Sequence, residues 1–398
     1  MKTKIVLVIA AAVAAAGFGS DAPIGVFDSG VGGLTVLEKL LSVDVVDNAT
    51  GERRPDGIPD LQGEEFVQLA DQANLHYGSY AEHGASAFLR ELAIRDAFFL
   101  LSGGFYRDAR EEVPTGRKRP AKIIVIACNT ATAYGLEGID SSLRRIASPV
   151  KVVGVVKAGV RSALRRLGAS GTSAPFAIGV LSTPGTCASG VYTRTIVTEA
   201  EKLGMSSPPR VVSHGCPGLA DAIQFSKPSA KDIIRKSLFG IVEELHAKGA
   251  AEPLRALILG CTHYPIAMRH FEETLEEIRR DAALGRHVAP DFMFVDPAVE
   301  TAVECRETLA AEGLLANNRK GESKVSMYVS VPCASLPPEF VGESGMLADG
   351  YKYSRKPGMD TVDTKFVPLA VGMVDRAAFM GLLDILPSVK EHLKRELE

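Results

Sequence analysis

The sequence predicts an α/β protein with two pseudo-symmetric domains, each built on a parallel sheet. Three observations carry this reading. Short, wholly apolar runs recur along the chain, each ends in a cluster of small or polar residues, and each cluster opens a stretch of helical periodicity. Runs of about five apolar residues alternating with helices are the pattern of strands buried on both faces of a parallel sheet. Two of the strand ends are near copies and lie far apart in the chain, which implies a repeated half-site, one per domain.

In chain order, Ile24-Gly25-Val26-Phe27 is the first strand. It ends in Asp28-Ser29-Gly30-Val31-Gly32-Gly33, after which Leu34, Val36, Leu37, Leu40 and Leu41 keep helical spacing. Ile123 to Ala127 is a strand ending at Cys128, and Val152 to Val156 is a strand leading to a basic helix through Arg161 and Arg166. Ala177 to Leu181 ends in Ser182-Thr183-Pro184-Gly185-Thr186. Arg210 to Val212 leads to Cys216-Pro217, and Ala256 to Gly260 ends at Cys261. Ligands of such sheets bind beyond the carboxyl ends of the strands, so the chemistry concentrates along one rim. Residues 44–64 and 103–122 are charged and turn-rich and are expected to be loop insertions. The expected division is a first domain over 24–147 with 264–315 and a second over 148–263. Residues 316–398 form a C-terminal extension, first rich in Pro, Gly, Ser and Lys, then helix-like.

Composition narrows the function. Of 398 residues, 46% are apolar and 23% charged, ordinary for a globular chain with a full core. A net charge of −3 and the absence of Trp speak against a nucleic-acid partner. Lys2 and Lys4 precede twelve apolar residues, Ile5 to Ala16, followed by small ones, so residues 1–19 read as a secretory signal peptide. The run is short for a bilayer span, and no other segment reaches that length, so no membrane span is expected in the mature chain. Cleavage would place the protein in the periplasm; if the segment is instead a first strand, the protein is cytoplasmic. The six cysteines include no C-x-x-C and no zinc-type Cys/His spacing, so neither a disulfide scaffold nor a metal site is expected.

Cysteine carries the chemistry. Ile-Ile-Val-Ile-Ala-Cys128-Asn129-Thr130 and Ala-Leu-Ile-Leu-Gly-Cys261-Thr262-His263 each place a thiol between an apolar strand and a helix start. A helix N-terminus favours thiolate, and its N–H groups can hold a carboxylate. Two such thiols suit inversion at the α-carbon of an amino acid: one removes the proton from one face while the other delivers a proton to the opposite face. Cys187, Cys305 and Cys333 read as packing residues, and Cys216 lies near the rim.

At these residues the chain resembles the glutamate racemase family, within the aspartate/glutamate racemase group. The motifs are Gly25-Val-Phe-Asp28-Ser29-Gly-Val-Gly-Gly-Leu, Ala127-Cys128-Asn129-Thr130-Ala and Leu-Gly-Cys261-Thr262-His263-Tyr-Pro, with weaker matches at 71–78, 179–186 and 215–217. The resemblance covers about residues 24–315. It implies two α/β domains with the site in the cleft between them, no cofactor, a small amino-acid substrate and, through D-glutamate, peptidoglycan metabolism; a homodimer is left open. It further implies Cys128 and Cys261 as proton donor and acceptor, Asp28 assisting Cys128 and His263 assisting Cys261. Asp28, Ser29, Tyr77, Gly78, Asn129, Thr130, Thr186, Thr262 and His263 would bind substrate. His263 favours the glutamate branch over the aspartate-type enzymes. Three positions depart from the family pattern: His76 stands where a proline is usual, Gln224 where a glutamate is usual, and Lys157 within a segment that replaces a usual Glu-Pro.

Other readings fit less of the sequence. Gly30-Val-Gly-Gly lacks a following Gly-Lys-Ser/Thr and misses the dinucleotide-binding spacing. A cysteine hydrolase would use one thiol with His263 and leave the second matched cysteine unexplained. Racemisation of another amino acid such as aspartate, or non-catalytic amino-acid binding on the same scaffold, are the alternatives that keep both junctions. Asp28 alone could equally be a helix N-cap.

Overall fold

Ten short strands become the cores of two sheets. The computed structural model describes residues 19–169, 175–205, 207–317, 321–342, 344–358 and 362–397; the signal-like segment up to residue 18 lies outside them. In chain order the strands are β1 (Ile24–Asp28), β2 (Glu65–Ala70), the two-residue β3 (Gly104–Phe105) and β4 (Gly116–Arg117), β5 (Ile123–Ile126), β6 (Lys151–Gly154), β7 (Ala177–Ser182), β8 (Arg210–Gly215), β9 (Leu254–Gly260), β10 (Val288–Val295), β11 (Lys324–Pro332) and β12 (Thr364–Pro368). The strands read from unbroken apolar runs, β1, β5, β7 and β9, are buried along their whole length, as strands covered on both faces must be.

The described residues divide into two compact units, one of those between 19 and 154 with those between 301 and 397, the other of those between 155 and 300. In the first, the strand order is β12-β11-β2-β1-β5-β6. All neighbours pair in parallel except β12, which runs antiparallel to β11 at the edge. Helices Ser86–Leu101 and Asn129–Arg145 cover one face through Leu89, Leu92, Leu100, Ile139 and Leu143. At the base of the sheet, Lys122 Nζ lies 2.6 Å from Glu64 Oε2 with both side chains buried, and the other Glu64 oxygen accepts the N–H of Ala316 at 2.8 Å.

The second unit has an all-parallel sheet in the order β10-β9-β7-β8. One face is covered by helices Ser229–Ala247 and Met268–Arg280, with Ile234, Leu238, Ile241, Phe271, Leu275 and Ile278 in one core. Val160, Leu164 and Leu167 of helix Val155–Ala169, with Ile196 and Ala200 of helix Val191–Lys202, cover the other.

Both units share one topology. The chain lays a first strand, adds a second on one side, then crosses to the other side for the next two: β2-β1-β5-β6 in one unit and β8-β7-β9-β10 in the other. The point of reversal, between β1 and β5 and between β7 and β9, is where a doubly wound sheet opens a crevice for ligand.

Two expected boundaries are corrected. The chain stays in the second unit until Glu300 rather than leaving it at residue 264, because β10 pairs with β9 and the apolar face of helix Met268–Arg280 closes the same core. It enters that unit at Val155 rather than 148, because β6 pairs with β5. The extension from residue 316 is no separate appendage: β11 adds to β2 in parallel, and β12 closes the edge. Its last helix, Pro387–Leu397, is held against helix Leu34–Ser42, where the Glu38 carboxylate accepts the N–H groups of Ser388 and Val389 at the helix start. Among the expected loop insertions, residues 103–122 carry the small β3–β4 ribbon.

Candidate active site

The first cysteine stands at the reversal point of its sheet. Phe27 pairs with Ile126 and the Ala127 N–H donates to the Phe27 carbonyl at 2.9 Å, which sets Cys128 beside Asp28 and Ser29. Cys128 has extended backbone angles and is the N-cap of helix Asn129–Arg145; its sulfur accepts the Ala131 N–H at 3.4 Å. Its thiol points at Ser29 Oγ, 3.8 Å away. Cys128 is only 6% exposed and belongs to the apolar core of its unit, with Ser29 Oγ and the Ala131 N–H as polar contacts of its sulfur. Burial, with the Asp28 charge, pushes the thiol well above its usual range and outweighs the N–H of Ala131 and the hydroxyl of Ser29. At this helix start, burial and the Asp28 charge outweigh the pull toward thiolate, so the protonated thiol is the favoured form.

Asp28 is 1% exposed, and burial raises its carboxyl to about 6 against the pull of the Cys128 thiol and the N–H groups of Ser29, Gly33 and Gly30. Among the described residues no group stands in full hydrogen-bond geometry to either oxygen. The helix-cap alternative fails, because the N-cap positions of the Val31–Gly33 turn and of helix Leu34–Ser42 are Gly30 and Gly33. A Cβ at Gly33 would sit 2.5 Å from the Asp28 Cβ, so only glycine lets the turn fold over this carboxylate. Ser29 is buried next to it, as are Asn129 and Thr130 in the first turn of the helix.

A second cluster in the same unit sits behind the turn Tyr77–Ser79. The Asp71 N–H donates to the Asp28 carbonyl at 2.9 Å, and the Asp71 carboxylate accepts both the Tyr77 hydroxyl and Asn74 Nδ2, the latter at 2.8 and 3.0 Å. The same Tyr77 oxygen lies 2.6 Å from Asp96 Oδ2. One phenol proton cannot serve two carboxylates. Burial and the charge of Asp71 raise Asp96 well above the carboxylate range, which favours a proton on Asp96 donated to Tyr77 while Tyr77 donates to Asp71. The Tyr77 side chain is fully buried and its hydroxyl is engaged in this chain, so the ring is a core group and only the backbone of Tyr77-Gly78 is left for the expected substrate contact. Sequence reading missed Asp71, Asn74 and Asp96 as a unit. The one signal was a pair of charges, Arg95-Asp96, inside the otherwise apolar run from Ala93 to Leu101.

In the second unit Ser182 pairs with Gly260, so the carboxyl ends of β7 and β9 carry Thr183 to Thr186 beside Cys261. A Cβ on Gly260 would meet the Tyr192 ring at 2.9 Å and the Leu181 carbonyl at 3.0 Å, which explains the glycine before this cysteine. The Cys261 sulfur lies 3.8 Å from His263 Nδ1, Thr262 Oγ1 lies 3.4 Å from the same nitrogen, and His263 Nε2 lies 3.0 Å from Gln224 Oε1. Gln224 ends helix Leu219–Gln224, and no carboxylate is part of this contact. The expected helix start at Cys261 is not there: a turn and the 3-10 segment Tyr264–Ala267 intervene, and the α-helix begins at Met268. Pro265 has no N–H to give the Cys261 carbonyl an α-helical bond, and the Tyr264 N–H takes that carbonyl at 3.1 Å in a tighter turn instead. Cys261 thus lies beside an imidazole where Cys128 is a helix N-cap.

Thr186 is buried in the short helix Pro184–Ser189, its N–H held by Thr183 Oγ1 at 3.3 Å. Cys216 follows β8, bonded through its N–H to the Ser182 carbonyl at 2.8 Å, with its thiol pushed up to about 11 by burial. Lys157 is exposed on the first turn of helix Val155–Ala169. None of the six cysteines is in a disulfide. Among the described residues no three His, Cys, Asp or Glu side chains are grouped as metal ligands, and no helix is long and apolar enough to cross a membrane.

Two doubly wound units, each with a cysteine at its reversal point and a titratable side chain beside the sulfur, define a two-domain α/β class of protein with a repeated thiol site. The family model described as Asp/Glu/Hydantoin racemase matches residues 107–284. The glutamate racemase of Stutzerimonas stutzeri is 30% identical over 309 residues, covering 78% of this chain and 89% of its own. That of Chlorobaculum tepidum is 29% identical over 299 residues, covering 74% and 83%. The solved structure of the glutamate racemase from Thermus thermophilus in complex with β-chloro-D-alanine matches with a TM-score of 0.51 at 28% identity, over 81% of this chain and 90% of that one. The chain belongs to the glutamate racemase family.

Proposed function

We propose that the protein interconverts L- and D-glutamate without a cofactor, using Cys128 and Cys261 as an acid–base pair on opposite faces of the α-carbon. The observation that carries this reading is the matched placement of the two thiols at the reversal points of like sheets, one beside Asp28 and one beside His263. One thiol, as thiolate, takes the α-proton; the electron pair of the C–H bond is delocalised into the substrate carboxyl group. The other thiol gives its proton to the opposite face. One proton leaves and one arrives, so the product is the mirror image and the two sulfurs have exchanged protonation states, ready for the reverse reaction. Asp28 and His263 receive and return the thiol protons, and the N–H groups at the start of helix Asn129–Arg145 hold the substrate carboxylate. Ser29, Asn129, Thr130, Thr186, Thr262 and the backbone of Tyr77-Gly78 supply the remaining polar contacts.

Incubation with L-glutamate in deuterated water tests this. Inverted product should carry an α-deuterium, and Cys128→Ser and Cys261→Ser should each abolish inversion. Saturable glutamate binding without exchange would instead support the binding-protein reading, which Gln224 opposite His263 favours. A panel of amino acids in the same assay separates glutamate from aspartate. D-glutamate made this way would serve peptidoglycan synthesis. We also propose export through residues 1–19; a mature chain from the native host that still begins at Met1 would refute it.

A further inference from the structure

The segment that follows the racemase-like region reaches back to the turn carrying Tyr77 and Gly78. Arg355 is 3% exposed, and its guanidinium is bonded on every side. Nε donates to the Lys352 carbonyl at 3.1 Å, Nη1 to Asp363 Oδ2 at 2.6 Å, and Nη2 to Asn74 Oδ1 and to the Tyr80 hydroxyl. Asn74 Nδ2 in turn donates to the carboxylate of Asp71, whose N–H is bonded to the carbonyl of Asp28. The neighbouring backbone is clamped by the same segment. Ser330 Oγ accepts the Ala73 N–H at 2.9 Å, the Leu347 N–H donates to the Ala73 carbonyl at 3.0 Å, and buried Lys352 donates to the Leu75 carbonyl at 2.6 Å.

A buried guanidinium whose donors are met by a carboxylate, an amide oxygen, a hydroxyl and a carbonyl is a rigid fork rather than a surface charge. It fixes the Asn74 amide with its oxygen toward Arg355 and its nitrogen toward Asp71, and so fixes the route from β2 into the Tyr77–Ser79 turn. We propose that Arg355 is a positioning residue for the substrate-binding turn, acting through Asn74, so that a side chain from beyond the racemase-like region supports substrate binding. The inference rests on the reading that the Tyr77-Gly78 backbone meets substrate.

The test uses the full chain with Arg355→Met and Arg355→Lys, the latter keeping the charge but losing the fork. The control is Asp375→Ala, which removes the N-cap of helix Arg376–Asp384 in the same segment, away from the turn. Steady-state glutamate racemisation and amide hydrogen exchange across residues 71–80 are measured for each. Because the turn holds ground state and transition state alike, both Arg355 variants should raise KM about tenfold with kcat within about twofold, and exchange in the turn should accelerate. Asp375→Ala should lower stability without moving either readout. Wild-type KM and exchange in the Arg355 variants, or an equal KM rise in Asp375→Ala, would overturn the proposal. If the wild-type chain inverts no amino acid, the racemase reading fails instead, and hydrogen exchange alone decides whether Arg355 orders the turn.

Discussion

His263 Nε2 lies 3.0 Å from the side-chain oxygen of Gln224, and its other ring nitrogen faces the Cys261 sulfur at 3.8 Å. With the amide so oriented, Nε2 carries the hydrogen and Nδ1 is left as acceptor toward the thiol. A neutral amide does not select the charged imidazole as a carboxylate would. Gln224→Glu should therefore favour imidazolium at His263 and thiolate at Cys261. The NMR titration midpoint of His263 should move to higher pH, and the rate of α-proton removal by Cys261 should rise at neutral pH. An unmoved midpoint would show that Gln224 does not tune this half-site.

Asp28 links activity to a stability penalty. Its ordinary value is 3.8 and burial raises it to about 6 in the folded chain. Between those values the folded form binds more protons than the unfolded, so stability falls as pH rises through that window, and the loss is complete above it. Asp28→Asn removes the buried charge and should stabilise the protein at pH 7.5 by up to about 3 kcal/mol, with the difference closing toward pH 4. The same change should lower racemisation by about a hundredfold or more, since an amide takes no proton. Thermal melts at the two pH values check the first part; a variant that melts lower than wild type at pH 7.5 contradicts it.

Tyr77→Phe removes the hydroxyl that joins Asp96 to Asp71 and leaves two buried carboxyl groups without their shared partner. Urea unfolding should show a loss of about 1–3 kcal/mol. A wild-type midpoint would mean that the two carboxyl groups pair directly once the ring oxygen is gone.

Lys122→Met should cost about 3–5 kcal/mol, because Glu64 is then a buried carboxylate without its cation. Adding Glu64→Gln should recover part of that loss. A double variant no more stable than the single one would show that Glu64 matters through Ala316 rather than through Lys122.

The strand ends were legible because a parallel strand buried on both faces needs an unbroken apolar run, and the residue that ends it must be polar or small. Asp28, Cys128, Thr183 and Cys261 were all found in that way, and all four stand at reversal points. The cluster around Tyr77 was not legible. Asp71, Asn74 and Asp96 come from a strand end, a turn and a helix, and nothing in their spacing says that they share one phenol oxygen.

The sequence alone determined the class of fold, the two thiols and their order along the chain, because periodicity and strand-end chemistry are local properties. Only the tertiary structure decided which sheet each strand joined, that burial beside Asp28 pushes the Cys128 thiol up, and that a C-terminal arginine stands behind the Tyr77 turn. Those outcomes depend on burial and on contacts between residues hundreds of positions apart, and such contacts leave no periodic trace in a single chain.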